Sequence, residues 1–308
     1  MNRWNSDLIP DQHGRRIMVT GANSGIGFYI AKALAHAGAE VIMACRNMEK
    51  ARLAKNDILG ELPHARLSLC ELDLASQASV RQCAADFQRN YGSLDGLINN
   101  AGVMALPRQM LTLDGFEMHL AVNHLGHFAL TGLLLPSLMK GKQPRVVSTA
   151  SVVHKMGRIH FSDLQCSRTY TPYRAYNQSK LANLMFMLEL DRRAIQHEWP
   201  IVSLAAHPGL SNTNIKREGL RMQGTTLAAQ VVALTIRLIG QSAEKGALPT
   251  LYAATMPDAR AGQYWGPDSW MESRGYPTLA HIAPHAHNPD VARRLWDVSE
   301  ELTGVRFA

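Results

Sequence analysis

Tyr176 and Lys180 bound the segment Tyr176-Asn177-Gln178-Ser179-Lys180, and their spacing is the first sign of chemistry in the chain. Residues four apart on a helix project from one face, so the ammonium of Lys180 is placed to favour the phenolate of Tyr176. A free phenol titrates near ~10, and proton transfer close to neutral pH asks for a shift of ~3 units, roughly 4 kcal/mol. One lysine in a dry cleft supplies part of that. The pair alone is not diagnostic, because ordinary amphipathic helices carry it too. Its meaning depends on the elements that must position it.

The first of these lies near the start. Arg16 to Thr20 reads as a short buried strand, followed directly by Gly21-Ala22-Asn23-Ser24-Gly25-Ile26-Gly27. A helix then carries Ile26, Ile30, Leu34 and Ala37 on one face. Strand, glycine-rich turn and helix start together make a dinucleotide-phosphate cradle. The glycines allow a tight turn and close backbone approach, and the helix N-terminus offers N–H groups and its dipole. The next strand, Glu40 to Ala44, runs into Cys45-Arg46. An NAD-selective site places Asp or Glu here, ~20 residues after the glycines, to hold the ribose 2′-hydroxyl. Arg46 stands there instead, and a guanidinium suits a 2′-phosphate. NADP is therefore favoured over NAD.

Strand and helix go on alternating, which argues for an α/β chain with a doubly wound parallel sheet. Arg66 to Glu71 is a third strand, leading to Asp73 and Leu74, and Ser79 to Tyr91 is its helix. Leu94 to Ile98 is a fourth strand, running into Asn99-Asn100-Ala101-Gly102. In such sheets ligands lie beyond the carboxyl ends of the strands. Asp73 is placed to accept from an adenine amino group, and Asn99, Ala101 and Gly102 to line the adenosine side.

Leu113 to Leu134 reads as one long helix with Phe116, Leu120, Asn123 and His127 near one stripe. A polar Asn123 on a core-facing stripe is either a satisfied internal amide or the anchor of a water or proton relay. His124 and His127 flank it without the third ligand a metal would need. Arg145 to Ser148 is the fifth strand, continuing through Thr149-Ala150 to Ser151. Ser148, Thr149 and Ser151 compete as the hydroxyl that donates to a substrate carbonyl oxygen. Ser151 is preferred, since it lies past the strand where the cleft opens.

These motifs, with His207-Pro208-Gly209 through Thr213, follow the order seen in short-chain dehydrogenases/reductases, and the chain resembles that family over roughly residues 10 to 305. Cys45-Arg46-Asn47 and the gap from Ser151 to Tyr176 resemble the retinol dehydrogenase and WW-domain oxidoreductase branch. The resemblance implies a Rossmann fold: a doubly wound parallel sheet of about seven strands with helices on both faces, in one domain spanning 1–308. It implies Tyr176 as general acid/base, Ser151 as carbonyl donor, Lys180 as ribose-hydroxyl ligand and pKa modulator, and Asn123 as anchor of a relay water. Pro208, Gly209 and Thr213 would border the nicotinamide carboxamide and pyrophosphate, and hydride transfer would be pro-S. This sequence departs from the family at Ser148-Thr149-Ala150-Ser151, where Asn-x-Ser-Ser is common, and the membrane anchor frequent in the animal retinol enzymes is not expected here.

The remaining segments are read as follows. Residues 1–14 are an N-terminal arm. The stretch with His154, Met156, Phe161, Tyr170 and Tyr173 is a candidate substrate wall, with Met104 and Leu106 as an apolar rim. Residues 210–240 are a lid region, polar from Asn212 to Gly224 and apolar from Leu227 to Ile239. Residues 267–308 are a C-terminal extension. Gly262 to Gly266 reads as a last edge strand, and Asn288-Pro289 caps a helix with Val291, Leu295, Val298 and Leu302 on one face.

The chain has 308 residues, is 46% hydrophobic and 19% charged, and carries a net charge of +7. Its Lys and Arg are dispersed, which argues against a nucleic-acid partner, and no apolar run is long enough for a membrane span. Cys45, Cys70, Cys83 and Cys166 lack Cys-x-x-Cys spacing, and with no signal segment the expectation is reduced thiols in a cytoplasm. The reading is an NADP(H)-dependent oxidoreductase interconverting a small hydrophobic ketone or aldehyde and its alcohol. The alternatives are a reductase of activated C=C bonds, including one similar to protochlorophyllide reductase, and a non-catalytic NADP-binding scaffold. A homodimer or homotetramer would pair through the helix carrying Tyr176, whose outer face includes Leu184, Met185 and Leu188.

Overall fold

Alternate residues of the first strand serve different layers. In β1 (Arg16–Thr20), Ile17 and Val19 join one hydrophobic cluster and Met18 joins another. A strand covered on both faces reads as a continuous apolar run, as parallel strands do. The computed structural model describes residues 3–104, 106–210 and 241–307. Its sheet adds β2 (Glu40–Cys45), β3 (Arg66–Glu71), β4 (Gly96–Asn99), β5 (Arg145–Thr149), β6 (Val202–Ala206), β7 (Tyr264–Pro267) and β8 (Pro277–Leu279). The order is β3-β2-β1-β4-β5-β6-β7-β8, parallel throughout except for β8 against β7.

Two expectations change here. The sheet has eight strands against about seven, and Gly262 to Gly266 is not its last edge. The short β8, pairing Trp265 with Leu279 and Pro267 with Pro277, covers that edge.

One face carries α1 (Gly25–His36), α2 (Met48–Glu61) and α6 (Ala243–Thr255), which bury Ile30, Leu34, Ile58 and Leu251 against Ile17, Val19, Val41 and Leu204. The other carries α3 (Gln77–Tyr91), α4 (Gly126–Leu138), α5 (Pro172–Gln196) and α7 (Pro289–Thr303), which bury Phe87, Phe128, Phe186 and Trp296. The N-terminal arm lies on α6, with the Trp4 and Tyr252 rings 5.1 Å apart.

The helix expected from Leu113 starts later. Gly115 turns the chain at φ 82°, Leu111 bridges Glu117, and the Glu117 carboxylate caps the new start by accepting from the N–H groups of His119 (3.0 Å) and Leu120 (2.8 Å). A π-helical turn, Leu120–Leu125, then leads into α4. Such turns are uncommon and cluster at functional sites; this one presents Asn123.

α7 also covers the face expected to pair with a second copy. Leu184 and Met185 are buried inside one chain, in a cluster with Ala292 and Leu295 of α7. Among the described residues no helix is long and apolar enough to cross a membrane.

Candidate active site

β1 and β4 are neighbours although β2 and β3 intervene in sequence, so the strand order reverses between them and a crevice opens beyond their carboxyl ends. The crevice is held by Thr20. Its buried hydroxyl accepts from the N–H groups of Asn100 and Ala101, each at 2.9 Å, and lies 2.9 Å from Nε2 of His127. Asn100 returns the tie by donating Nδ2 to the Thr20 carbonyl at 2.9 Å.

The glycine turn sits on this frame. Gly21 and Gly25 have φ of 68° and 57°, the left-handed region that favours glycine. Gly27 is needed for space, because a Cβ there would run into the Gly21 carbonyl and Asn100 Nδ2. Ser24 is exposed and makes no side-chain cap to α1. The first intrahelical donor is Phe28 N–H to the Ser24 carbonyl, so the N–H groups of Gly25, Ile26 and Gly27 precede the ladder. With partly exposed Asn23 and Ile26, this is a cradle a pyrophosphate fits. Arg46 follows β2 on the surface and makes no hydrogen bond or ion pair among the described residues.

Asp73 turns the chain after β3 by accepting from Ala75 N–H at 3.0 Å. Leu74 beside it is buried in the core. Asn99 is also buried, and its Nδ2 donates to Thr131 at 3.1 Å, so its side chain serves α4. Gly102 lies against Asn123 and Lys180, close enough that a Cβ would crowd Asn123 Oδ1.

Thr171 caps α5 by accepting from Arg174 N–H, with Pro172 in the first turn, and this sets the helix phase that points Tyr176 and Lys180 inward. Ser151 lies beyond β5 and opens the short turn Val152–Met156. Its side chain stands beside the Tyr176 phenol and acts to lower the phenol's pKa. Ser148 and Thr149 stay buried at the strand end. His154 fixes the Ser151 turn, donating Nδ1–H to the Ser151 carbonyl at 2.7 Å and accepting from Ala283 N–H at 3.2 Å. Burial, outweighing that hydrogen bond, pushes its pKa down to about 4.

The electrostatics differ from the expected phenolate stabilisation. Tyr176 keeps part of its surface open, yet the protein around it dominates, and burial pushes the phenol up to about 12 against a smaller lowering by Ser151. Burial brings Lys180 down to about 8. Its ammonium lies 5.8 Å from the Tyr176 ring centre and donates to the Thr149 carbonyl at 3.0 Å.

Asn123 is a fully engaged amide. Oδ1 accepts from Val103 N–H at 2.8 Å, and Nδ2 reaches the Val103 carbonyl at 3.0 Å and Ser179 at 2.9 Å. Its backbone carbonyl lies 3.0 Å from Nδ1 of His127. Pro208 and Gly209 follow β6, Gly209 at φ 62°; Thr213 and all of the expected lid beyond Leu210 fall outside the described residues.

The expected substrate wall divides. Tyr170 donates to the Leu106 carbonyl at 2.7 Å, which places it beside the apolar rim. Met156 and Tyr173 are largely exposed, and Phe161 packs toward α7 under the Arg294 guanidinium, 4.1 Å from the ring centre. His119 was not anticipated. Its buried ring stands 6.1 Å from that of Tyr176, edge to face, held by Glu117 at 2.8 Å. The pair Glu117/His119 was visible in sequence, but only the late helix start turns it inward.

A family model described as short chain dehydrogenase matches residues 15–223. Human retinol dehydrogenase 13 is 40% identical over 295 residues, covering 95% of this chain and 85% of its own. Mouse retinol dehydrogenase 11 is 38% identical over 294 residues, covering 95% and 87%. Among solved structures, an uncharacterized protein from Mycobacterium paratuberculosis has a TM-score of 0.82 at 38% identity, with 100% of both chains covered. A Shigella flexneri short chain dehydrogenase complexed with NADP has a TM-score of 0.63 at 25% identity, covering 82% of this chain and 97% of its own. A sheet reversing at β1/β4, a glycine cradle and a Ser151–Tyr176 contact therefore belong with the sequence likeness: the chain is a member of the short-chain dehydrogenase/reductase family, an oxidoreductase similar to the retinol dehydrogenases.

Proposed function

We propose that the protein interconverts a hydrophobic aldehyde or ketone and its alcohol using NADP(H), as one Rossmann domain with the arm and extension described above. The observation that carries this reading is the placement of Ser151 beside the Tyr176 phenol, whose pKa it acts to lower, with Lys180 one helical turn on. The nicotinamide, when bound, gives or takes the hydride. The rest of the chemistry falls to the chain. Ser151 orients the substrate oxygen by donating to it, and Tyr176 delivers or removes the proton at that oxygen. Lys180 contributes a positive charge and a donor for the ribose hydroxyls, and Asn123 braces the Val103 backbone and Ser179 beside it.

Arg46, exposed and unengaged after β2, supports NADP over NAD, as does the NADP held by the Shigella relative. Tyr170 and the Leu106 rim, with the retinol dehydrogenases as relatives, support a long apolar alcohol or aldehyde of the retinoid kind. The test is NADPH consumption with a panel of hydrophobic aldehydes and ketones. Wild type should turn over at least one. Tyr176→Phe should lose turnover by more than ~100-fold while binding NADPH as before, and a fully active Tyr176→Phe would refute the assignment.

A further inference from the structure

Glu272 reaches the candidate site from the C-terminal extension, on a strained turn. It ends the turn Trp270–Glu272 at φ 53°, directly after Met271 at φ 56°. Two consecutive non-glycine residues in the left-handed region cost free energy, and Met271 gains no burial there, being 70% exposed. What the turn achieves is the placement of one carboxylate. Oε1 accepts from Lys155 Nζ at 3.0 Å and from His281 N–H at 3.2 Å. Oε2 lies 3.2 Å from Nε2 of His207, within Coulombic reach although the two atoms are not aligned as a hydrogen bond.

His207 begins the His-Pro-Gly loop and is fully buried. Its Nδ1 accepts from Gly209 N–H at 3.2 Å, so the imidazole proton sits on Nε2 and faces Glu272. Burial holds the imidazole below its usual pKa. Burial alone would raise Glu272, but its contacts with His207, Lys155 and His281 N–H draw it down to about 2. The result is a neutral donor facing an anion. Residue 266 of β7 is glycine at the point where a Cβ would overlap the His207 ring. The same segment grips the loop twice more. The Ser273 carbonyl accepts from Leu210 N–H at 2.7 Å, and Gln241 accepts from Gly275 N–H at 3.1 Å while donating to the Pro208 carbonyl at 2.9 Å. Lys155 belongs to the turn that Ser151 opens. One carboxylate thus spans the loop beside the nicotinamide position and the turn that presents the serine.

We propose that Glu272 is a positioning residue for the nicotinamide end of the cofactor site, fixing the His207-Pro208-Gly209 loop against the Ser151 turn through His207 and Lys155. This rests on the NADP(H) reading above, and two ligands separate the two claims. Calorimetric titration with NADPH and with adenosine 2′,5′-bisphosphate, which lacks the nicotinamide half, reads each end of the site. In Glu272→Ala the NADPH dissociation constant should rise about tenfold, ~1.4 kcal/mol, with the bisphosphate constant unchanged and kcat lowered. Glu272→Gln retains an acceptor for Lys155 and His281 N–H and should show a smaller rise of the same kind. An unchanged NADPH constant in both variants, or equal weakening of the two ligands, would overturn the positioning role. Wild-type protein binding neither ligand would overturn the cofactor reading, and this proposal with it.

Discussion

Lys180 donates its ammonium to the Thr149 carbonyl at 3.0 Å and stands 5.8 Å from the centre of the Tyr176 ring. The lysine is thus anchored to the end of β5, and Asn183 donates to the same carbonyl at 3.0 Å. Its charge is buried against one backbone dipole, which makes it a costly element for the fold and a useful one for the site.

That cost has a pH signature. Lys180 falls from 10.5 to about 8 because burial disfavours its charged form. Below the folded value both states hold the proton and the full penalty applies, on the order of 3 kcal/mol. As pH rises from about 8 toward 10.5, the unfolded chain keeps more protons than the folded one and the penalty fades. Lys180→Met removes the charge and loses one hydrogen bond worth ~1–3 kcal/mol, while Asn183 still serves the Thr149 carbonyl. The variant should therefore be as stable as wild type at pH 7, or more stable by about 1 kcal/mol, with the order reversing in favour of wild type by about pH 10 as the penalty on Lys180 is lifted. Denaturant melts across that range, beside NADPH-linked turnover that should fall more than ~100-fold, decide the matter. A variant much less stable than wild type at pH 7 would show that the burial cost is not there.

Arg46 allows cofactor choice to be separated from stability. It is exposed and makes no hydrogen bond or ion pair among the described residues, so Arg46→Asp should change unfolding by no more than ~0.5 kcal/mol. Its effect should fall on the ratio of kcat/KM for NADPH and NADH, moving at least ~10-fold toward NADH, since a carboxylate repels a 2′-phosphate and accepts from a 2′-hydroxyl. An unchanged ratio would remove Arg46 from the site.

Thr20 tests the frame under the glycine turn. Thr20→Val keeps the shape but leaves the N–H groups of Asn100 and Ala101 without their acceptor, at a cost of ~2–4 kcal/mol. NADPH should bind more weakly as the end of β4 shifts. Thr20→Ser, which keeps the hydroxyl, should recover most of both losses. A Thr20→Val protein as stable as wild type would mean that the network does not hold the crevice.

Much of the fold is carried by local signals in the sequence, while features that depend on long-range packing leave little trace in it. The cradle from Arg16 to Gly27 combines a strand, positive-φ glycines and a helix start within a dozen residues, so its geometry follows from the chain itself. The same holds for the Asn288-Pro289 cap, where the Asn288 side chain accepts from Asp290 and Val291 N–H. The place of Ser151 past the end of β5, with Ser148 and Thr149 buried within it, is also local, since it follows from where the strand stops. The late start of the helix before Asn123 was hidden, because the apolar periodicity runs straight through Gly115 and only the inward Glu117 carboxylate fixes the boundary. β8 is a three-residue strand with a proline at its start, too short to leave a pattern. The upward shift of Tyr176 is hidden for another reason: spacing gives the distance to Lys180, but desolvation depends on everything packed around the phenol.

Cys70 and Cys83 show the same limit, and yield a prediction. Without Cys-x-x-Cys spacing they read as unrelated thiols, yet packing of α3 on β3 brings their sulfurs to 2.7 Å. That separation approaches the ~2.05 Å of a disulfide. The hydrogen bond from Cys83 favours the Cys70 thiolate, and the same contact with burial pushes Cys83 up. Cys70 is also the more accessible of the two. It is therefore the attacking group: Cys70 displaces water from hydrogen peroxide to give a sulfenic acid, and Cys83 then closes the disulfide with loss of a second water. The bridge would enclose the turn carrying Asp73 and, by restricting the unfolded chain, add up to ~3 kcal/mol. Peptide mapping after mild peroxide treatment, without reductant, should find residues 70 and 83 joined and Cys45 and Cys166 free, with a raised melting temperature that dithiothreitol reverses. Cys83→Ser should lose both effects. Over-oxidised Cys70 beside an untouched Cys83 thiol would show that the two sulfurs do not meet as described.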